Sequence, residues 1–562
     1  MNRSLLIIFL AVIALTANCQ TPVPGGNVSG CWTPSGSPYD IQGSIMIPAD
    51  STLIIQAGVT ISFQGHYKFL VLGRLLALGT EVSNILFTAD SPTTGWYGLR
   101  FNNTSSANDS SIIDYCTIQY GRATDPEPWG GGIEFHNFSK ARVSHCLLTN
   151  NYAAISGGGI DIDNCSPVIS YNTFKSNLSD FAAATLCGGG GLSLFQSNSL
   201  IIGNVFTSNT VYSSEGGGGA IFISGGTTLI TGNTISFNTS INNAFYGDGG
   251  GGGIFSDANA IISNNTISNN SCSGYVSRGG GIFFYWNNSG TLVNNTITNN
   301  SANGSTACGG AIYCYLNCNP VITNNTIVNN YSEADGGALY CYSSSNPVFR
   351  NCIFYGNKSA GNDNQVFLYD EDSDPDFYNC DINGGVSAFG MNGNFYTGKY
   401  QDNIDGAPLF GWPSQGCGIA YDGTYSDWTL RGTSPCINAG DPTGTYPLTD
   451  KGGNPRVIDG CIDIGAYEFL YALTIQTQSV QTKVTLTPNP FSDHAMFQFN
   501  RNLESGRLEI YDPSGKKVSI IVGISGGKVM IDRGTLRTGV YFYKLLGDDS
   551  PLASGKFVIA EN

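Results

Sequence analysis

One phrase of about ten residues returns through the middle of this chain. It reads Val321-Ile-Thr-Asn-Asn-Thr-Ile-Val-Asn-Asn330, and earlier Leu292-Val-Asn-Asn-Thr-Ile-Thr-Asn-Asn300 and Ile261-Ile-Ser-Asn-Asn-Thr-Ile-Ser-Asn-Asn270. Aligned on it, one column runs Cys116, Cys146, Asn172, Asn204, Asn233, Asn265, Asn295, Asn325, Cys352, Cys380, in steps of 30, 26, 32, 29, 32, 30, 30, 27 and 28 residues. A second column, five residues later, runs Asn151, Asn177, Asn209, Asn238, Asn270, Asn300, Asn330, Asn357. A fixed period of this size marks a chain that grows by stacking one unit on the next, so its length of 562 residues does not set a domain count.

Between these segments lies a glycine run followed by an alternating strand, as in Gly157-Gly-Gly-Ile160, Gly279-Gly-Gly-Ile282 and Gly336-Gly-Ala-Leu339. Ile133, Ile160, Leu192, Ile221, Ile254, Ile282, Ile312 and Leu339 form one apolar column, and two residues on come Phe135, Ile162, Leu194, Ile223, Ser256, Phe284, Cys314 and Cys341. Alternation with one apolar face is a strand buried on one side. Short strands, a fixed period and no helical pattern predict parallel coils, each strand pairing with its copy about 4.8 Å away. The glycines supply tight corners where φ is positive. Asn172, Asn204, Asn233, Asn265, Asn295 and Asn325 are expected to stack as an amide ladder, each donating to one coil and accepting from another. Sixteen cysteines first suggest disulfides. Cys116, Cys146, Cys352 and Cys380 instead stand in the asparagine column, and Cys314 and Cys341 in an inward one, as small buried residues. Cys314 and Cys318 are too poor a set for a metal.

The charge is uneven. Residues 20–470 carry 14 Lys+Arg against 33 Asp+Glu, and residues 471–562 carry 10 against 8. The acidic body excludes a basic nucleic-acid surface and places a boundary near residue 471. Arg3 followed by the apolar run Leu5 to Leu15 reads as a signal peptide over residues 1–19, too short to span a bilayer. A lipid anchor on Cys19 is the other reading, against which Asn18 is a poor preceding residue. No later run is apolar enough to span a membrane.

Gly309-Gly-Ala-Ile312, Gly336-Gly-Ala-Leu339, Phe174-Lys-Ser-Asn177, Phe206-Thr-Ser-Asn209 and Phe354-Tyr-Gly-Asn357 resemble the GGA[I/L] and FxxN repeats of polymorphic outer-membrane-type β-helix surface proteins. The resemblance implies an all-β fold, a right-handed single-stranded parallel β-helix of about ten or more coils, with repeats over residues 101–390. Leu53 to Ile61 and Gly95-Trp-Tyr-Gly-Leu-Arg-Phe101 look like opening coils within residues 20–100. Ser434 to Gly440, Gly453-Asn-Pro-Arg456 and Asp463 to Glu468 look like a closing segment over residues 391–470, where Cys436 and Cys461 are the expected disulfide pair. After a linker at 471–486, residues 487–562 carry Pro488-Asn-Pro490, Leu508-Glu-Ile-Tyr-Asp512, Gly539-Val-Tyr-Phe-Tyr543 and Gly555-Lys-Phe-Val-Ile559. These resemble the sorting domain of type IX secretion cargo in Bacteroidetes. That implies a small β-sandwich, the type IX machinery as partner, and a body released outside the cell or attached to its surface.

Two outward features bear on function. Asp161 and Asp163 project from one strand face, with Glu134 one coil away and His136 beside them, the best pair of acids for hydrolysis. Solvated strand residues are the plainer reading of that trio. Only Lys175 and Arg278 are basic between Ser144 and Val348, poor ground for an anionic sugar unless bound Ca²⁺ compensates; no other cofactor is implied. The second feature is aromatic: Phe222, Phe255, Phe283, Tyr313 and Tyr340 in one column, Tyr285, Tyr315 and Tyr342 in the next. Exposed rings would make a glycan-binding strip; rings stacked for stability or lying under a corner loop are the alternative. The expectation is a secreted or cell-surface, non-enzymatic, adhesin-like or glycan-binding protein, with a polysaccharide lyase or glycoside hydrolase as the other reading. Acids clustered in a groove would favour the enzyme; an exposed aromatic strip without them favours binding.

Overall fold

A computed structural model describes residues 20–181, 188–242, 248–361, 364–470, 482–513, 515–547 and 550–561. The expected signal peptide, Cys19 and most of the expected linker lie outside the described residues. The chain divides at residue 470 into two compact units.

The first unit is a parallel β-solenoid. One coil shows the plan: Ile160–Asp163, Val168–Ser170, Thr173–Lys175 and Leu178–Asp180 are four short strands separated by corners. Each strand pairs in parallel with its counterpart in the next coil, giving three sheets of 14 strands and a fourth of 9. The fold is all-β. The sheet led by the glycine runs includes Leu99–Asn102, Ile133–His136 and Ile160–Asp163, and later Ile282–Tyr285, Ile312–Tyr315 and Leu339–Tyr342. Its inward columns, such as Ile160 and Ile162, are fully buried in one core that runs through the coils.

Glycine is required where coils touch. A Cβ on Gly158 would sit 2.3 Å from the Gly190 carbonyl oxygen, and one on Gly219 would sit 2.0 Å from that of Gly252. The first glycine of the run has positive φ, +66° at Gly157 and +68° at Gly309, which a side chain resists.

At the next two corners the asparagines form two continuous ladders. Asn265 donates from Nδ2 to Asn295 Oδ1 (3.0 Å) and to the Ile230 carbonyl (2.9 Å), while its Oδ1 accepts from Asn233 Nδ2 (3.0 Å) and the Asn233 backbone N–H (2.8 Å). The pattern passes Asn172, Asn204, Asn233, Asn265, Asn295 and Asn325 and ends on Cys352, whose Sγ accepts from the Asn325 N–H.

After the last coil the chain turns back along the solenoid. Residues 404–470 lie against the first asparagine of each doubled pair: Asn269 binds Tyr421 and Gly423, Asn299 binds Ser414 and Gly416, and Asn294 binds Thr449 and Arg456. The Asp463–Glu468 motif forms a buried network. Arg456 Nη1 meets Glu468 Oε1 at 2.8 Å, and Asp450 accepts the Glu468 N–H. Cys436 and Cys461, the expected disulfide pair, are both free thiols. Cys436 is fully buried with its Sγ 3.1 Å from Asp381 Oδ2, so it serves to dock the segment on the last coil.

The second unit is an antiparallel sheet of five strands, Val484–Thr487, His494–Tyr511, Lys517–Asp532, Gly539–Gly547 and Ser550–Ile559. Phe497, Leu508, Tyr543 and Phe557 form its own core.

Candidate functional site

The outer face of the glycine-led sheet carries two columns of side chains. Register places Arg100, Glu134, Asp161, Ser193, Phe222, Phe255, Phe283, Tyr313, Tyr340 and Phe367 in the first. Asn102, His136, Asp163 and Phe195 begin the second, and Tyr285, Tyr315 and Tyr342 continue it. One sheet face therefore changes along its length from charged to aromatic.

The aromatic half corrects the expected exposed strip. Phe283, Tyr313 and Tyr340 are buried, with Phe222, Phe255 and Phe367, in a second core outside the main one. The segments leading into the glycine corners lie over them. A Cβ on Gly216 would sit 2.9 Å from the Phe255 ring, and Arg278 lies 5.4 Å from the Tyr313 ring centroid. Tyr313 and Tyr340 stack at 5.1 Å. Strand alternation points a side chain out of the solenoid, but an overlying segment decides whether it meets water. Tyr285, Tyr315 and Tyr342 remain half-buried at the edge of this cluster.

The charged half opens into a cavity of about 550 Å³ lined by Glu127, Trp129, Glu134, His136, Asp161 and Asp163 together with Asn102, Asn103, Phe195 and Gln196. The three acids singled out from the sequence meet here. Asp161 is 2 % exposed and accepts a 2.6 Å hydrogen bond from Ser156 Oγ. Burial pushes its carboxyl well above the usual carboxylate range, the Ser156 bond opposes this, and the nearby Glu134 adds to it. Glu134 is 6 % exposed and also raised by burial, against the opposing pull of Arg100. Asp163 is more open and holds His136, with Nδ1 2.8 Å from its Oδ2. The plainer reading of solvated acids thus fails for Asp161 and Glu134.

Arg100, 0 % exposed, donates to the Gly130 carbonyl at 2.6 Å, and its Nε stands 3.5 Å from Glu134 Oε2. Around this point Arg100 Nη2, Asn102 Oδ1 and Glu127 Oε2 are buried without a hydrogen-bond partner, while Arg100 Nε and Glu134 Oε2 face each other in the ion pair and Asn102 supports Glu134. Buried polar atoms are normally satisfied, and such a concentration is what a site awaiting donors and acceptors would show. The carboxyls, the imidazole and the two rings, Trp129 and Phe195, suit a polar ligand with apolar faces. Sequence reasoning missed Arg100, Trp129, Glu127 and Gln196. Arg100 was within reach, because extending the Glu134–Asp161 column one coil back lands on it. Among the described residues no group of three or more His, Cys, Asp or Glu is arranged to hold a metal ion.

Residues 39–235 and 207–382 match the family of the right handed beta helix region, more than half of the chain. The chain belongs to the right-handed β-helix family. Residues 485–560 of this β-helix protein match a secretion system C-terminal sorting domain. That domain implies the type IX secretion machinery and delivery to the cell surface or the extracellular space. No curated protein matches the chain. Among the described residues no helix is long and apolar enough to cross a membrane.

Proposed function

We propose that this secreted β-helix hydrolyses a neutral polysaccharide in the cavity formed by Glu134, Asp161 and Asp163. The observation that carries the reading is a buried carboxyl, Asp161, facing a cavity beside a more open one, Asp163, two residues along the same face. The Cα atoms of residues two apart on a strand lie about 6.7 Å from one another, a backbone spacing compatible with carboxyl groups about 6.5–9.5 Å apart and a water between them. Asp161, protonated through burial, gives its proton to the glycosidic oxygen as the bond to the anomeric carbon breaks. Asp163 takes a proton from the water that attacks that carbon from the opposite side. The products are a reducing end with inverted configuration and a free hydroxyl, and both carboxyls reset by exchange with solvent. His136 is a positioning residue for Asp163, and Glu134 keeps Asp161 protonated by its proximity.

The substrate class follows from charge. The cations beside the cavity, Lys68 and Arg100, are already engaged by Glu127 at 2.6 Å and Glu134 at 3.5 Å, and His136 by Asp163, so among the described residues the lining offers no unengaged cation to neutralise a uronate polymer. A panel of neutral and acidic polysaccharides assayed for new reducing ends tests the proposal. Asp161→Asn should lower product release by about 10²–10⁴-fold with retention on the same polymer unchanged. Undiminished release from Asp161→Asn would overturn it. The second reading, an adhesin-like glycan-binding protein without catalysis, is favoured by the half-buried Tyr285, Tyr315 and Tyr342 column. Retention of a polymer with no release of ends by the wild-type protein would select it.

A further inference from the structure

The corner that follows the outer face of this sheet runs past the cavity and along the coils. Asn103, Asn137, Asn164 and Gln196 occupy it with positive φ, 53°, 58°, 51° and 45°, and Gly225 follows at +70°. Asparagine and glycine take the left-handed conformation at low cost, so these choices suit the backbone. Three coils beyond Gln196 the pattern breaks. Trp286 stands at φ +45° and Leu316 at φ +63°, each followed by an asparagine, Asn287 or Asn317, at +54° and +60°. A bulky side chain in that region clashes with its own backbone and is disfavoured. Burial does not offset this for Trp286, which is 62 % exposed.

Around them is a shallow depression of about 550 Å³ lined by Trp286, Asn287, Leu316, Asn317, Ser343 and Ser344, with no charged side chain. Asn317 Nδ2 donates to Asn287 Oδ1 at 2.7 Å, which holds the two amides as a fixed pair at the rim. Register sets the distance to the cavity. From Ile160–Asp163 to Ile282–Tyr285 is four strand steps in one sheet, about 19 Å at about 4.8 Å per step. Between the two, Asp257 accepts from Ser224 Oγ at 3.1 Å and is held by the Gly225 backbone.

We propose that Trp286 and Leu316 form a second, uncharged glycan subsite on this corner, so that one long neutral chain lies along the solenoid axis from the acid cavity to Trp286. The inference rests on the reading of the cavity as a neutral-glycan site and adds chain length and direction to it. An exposed indole stacks on the apolar face of a pyranose ring, and the asparagine pair beside it offers both donors and acceptors to ring hydroxyls. Uncharged lining matches a neutral polymer as the acid cavity does. One coil advances by roughly the length of one sugar unit in an extended chain, so the two sites are bridged by a chain of about five or six units.

The test uses the full secreted chain and neutral oligosaccharides of the cello, laminari, manno and xylo series, from two units to ten. Trp286→Ala should weaken binding of the longest members of the accepted series by about tenfold and leave dimers and trimers unchanged. Trp129→Ala, in the cavity, should weaken all lengths. Trp286→Asn serves as the folding control, because it installs the residue used at Asn103, Asn137 and Asn164. It should raise the melting temperature by relieving the corner while losing the same long-chain affinity. Equal affinity of wild type and Trp286→Ala at every length would overturn the inference, as would an equal loss for short and long chains. Length-dependent binding lost in Trp286→Ala, together with no hydrolysis by the wild-type protein, would keep this subsite and remove only the proposed reaction. If the wild-type protein binds no oligosaccharide of any length, both proposals fall.

Discussion

A single ladder asparagine makes four hydrogen bonds, two as donor and two as acceptor, and that count decides what its loss costs. Asn265→Ala removes all four and strands the Asn233 N–H in a dry interior, while the Asn295 Oδ1 keeps only the backbone N–H of residue 265. At about 1 kcal/mol net per bond, with the penalty for stranded groups added, the expected loss is about 3 kcal/mol or more. The chain itself supplies the milder variant. Where the column holds cysteine, Cys352 accepts the Asn325 N–H at 3.4 Å and donates to the Ile322 carbonyl at 3.5 Å. Asn265→Cys keeps one acceptor and one donor and should lose about half as much. Urea denaturation of the two variants measures the difference. An equal loss in both would show that the column contributes filled volume rather than hydrogen bonding.

At the scale of the element, the closing segment depends on a joint that titrates. Asp381, on the last coil, accepts the Gly406 N–H at 2.9 Å and faces the Cys436 thiol. Burial pushes its carboxyl up to about 6, with Asp405 adding to the rise and the Gly406 and Cys436 bonds opposing it. The folded chain therefore holds this proton more tightly than the unfolded one. Its contribution to stability is complete below the ordinary carboxylate value of 3.8 and is lost as pH rises through about 6. A rise from 3.8 to about 6 corresponds to about 3 kcal/mol. Asp381→Asn cannot ionise, so its stability should decline less steeply between pH 4 and 7 than that of the wild type, the raised carboxyls of Glu468 and Asp161 being common to both. An identical slope in both proteins would place the titration elsewhere.

The same segment shows where the sequence stops being legible. The doubled asparagines are visible in the repeat, at 264–265, 269–270, 294–295, 299–300, 324–325 and 329–330. Their second members fill the ladders, which periodicity implies. Their first members are left-handed corners, and Asn269, Asn294 and Asn299 dock the returning chain, a partner more than a hundred residues away that no local pattern names. Three corners of the uncovered coils carry Tyr171-Asn172, Gly203-Asn204 and Phe237-Asn238 instead, although Asn150-Asn151 is doubled as well. The inward columns were legible for the opposite reason, because alternation and period act within one strand and its copy. The outward aromatic column left exposure and cover by a corner loop both open, and it is cover that holds, because Gly216 and the residues around Arg278 fold over it from a neighbouring corner. The acids were found as a trio, but their partners, Ser156 on Asp161 and Arg100 on Glu134, come from a corner and from the preceding coil.

For the whole molecule, the two compact units carry separate cores, one running through the coils and one built on Phe497, Leu508 and Phe557. Stability in a stacked solenoid is a sum over coils and their nearest neighbours. The last of those neighbours is the closing segment, which is internal to the first unit through Asn351, Asp463 and Arg456. A chain ending at Leu470 should therefore melt at the temperature of the full chain's solenoid transition and keep any activity at the Asp161 cavity. It should also remain inside the producing cell, because residues 485–560 are the part that matches a secretion signal. Calorimetry of the purified proteins and fractionation of cells expressing each form read the two outcomes separately. A lower melting temperature in the shortened chain would mean that the second unit supports the coils, and undiminished export would mean that the address lies in the solenoid itself.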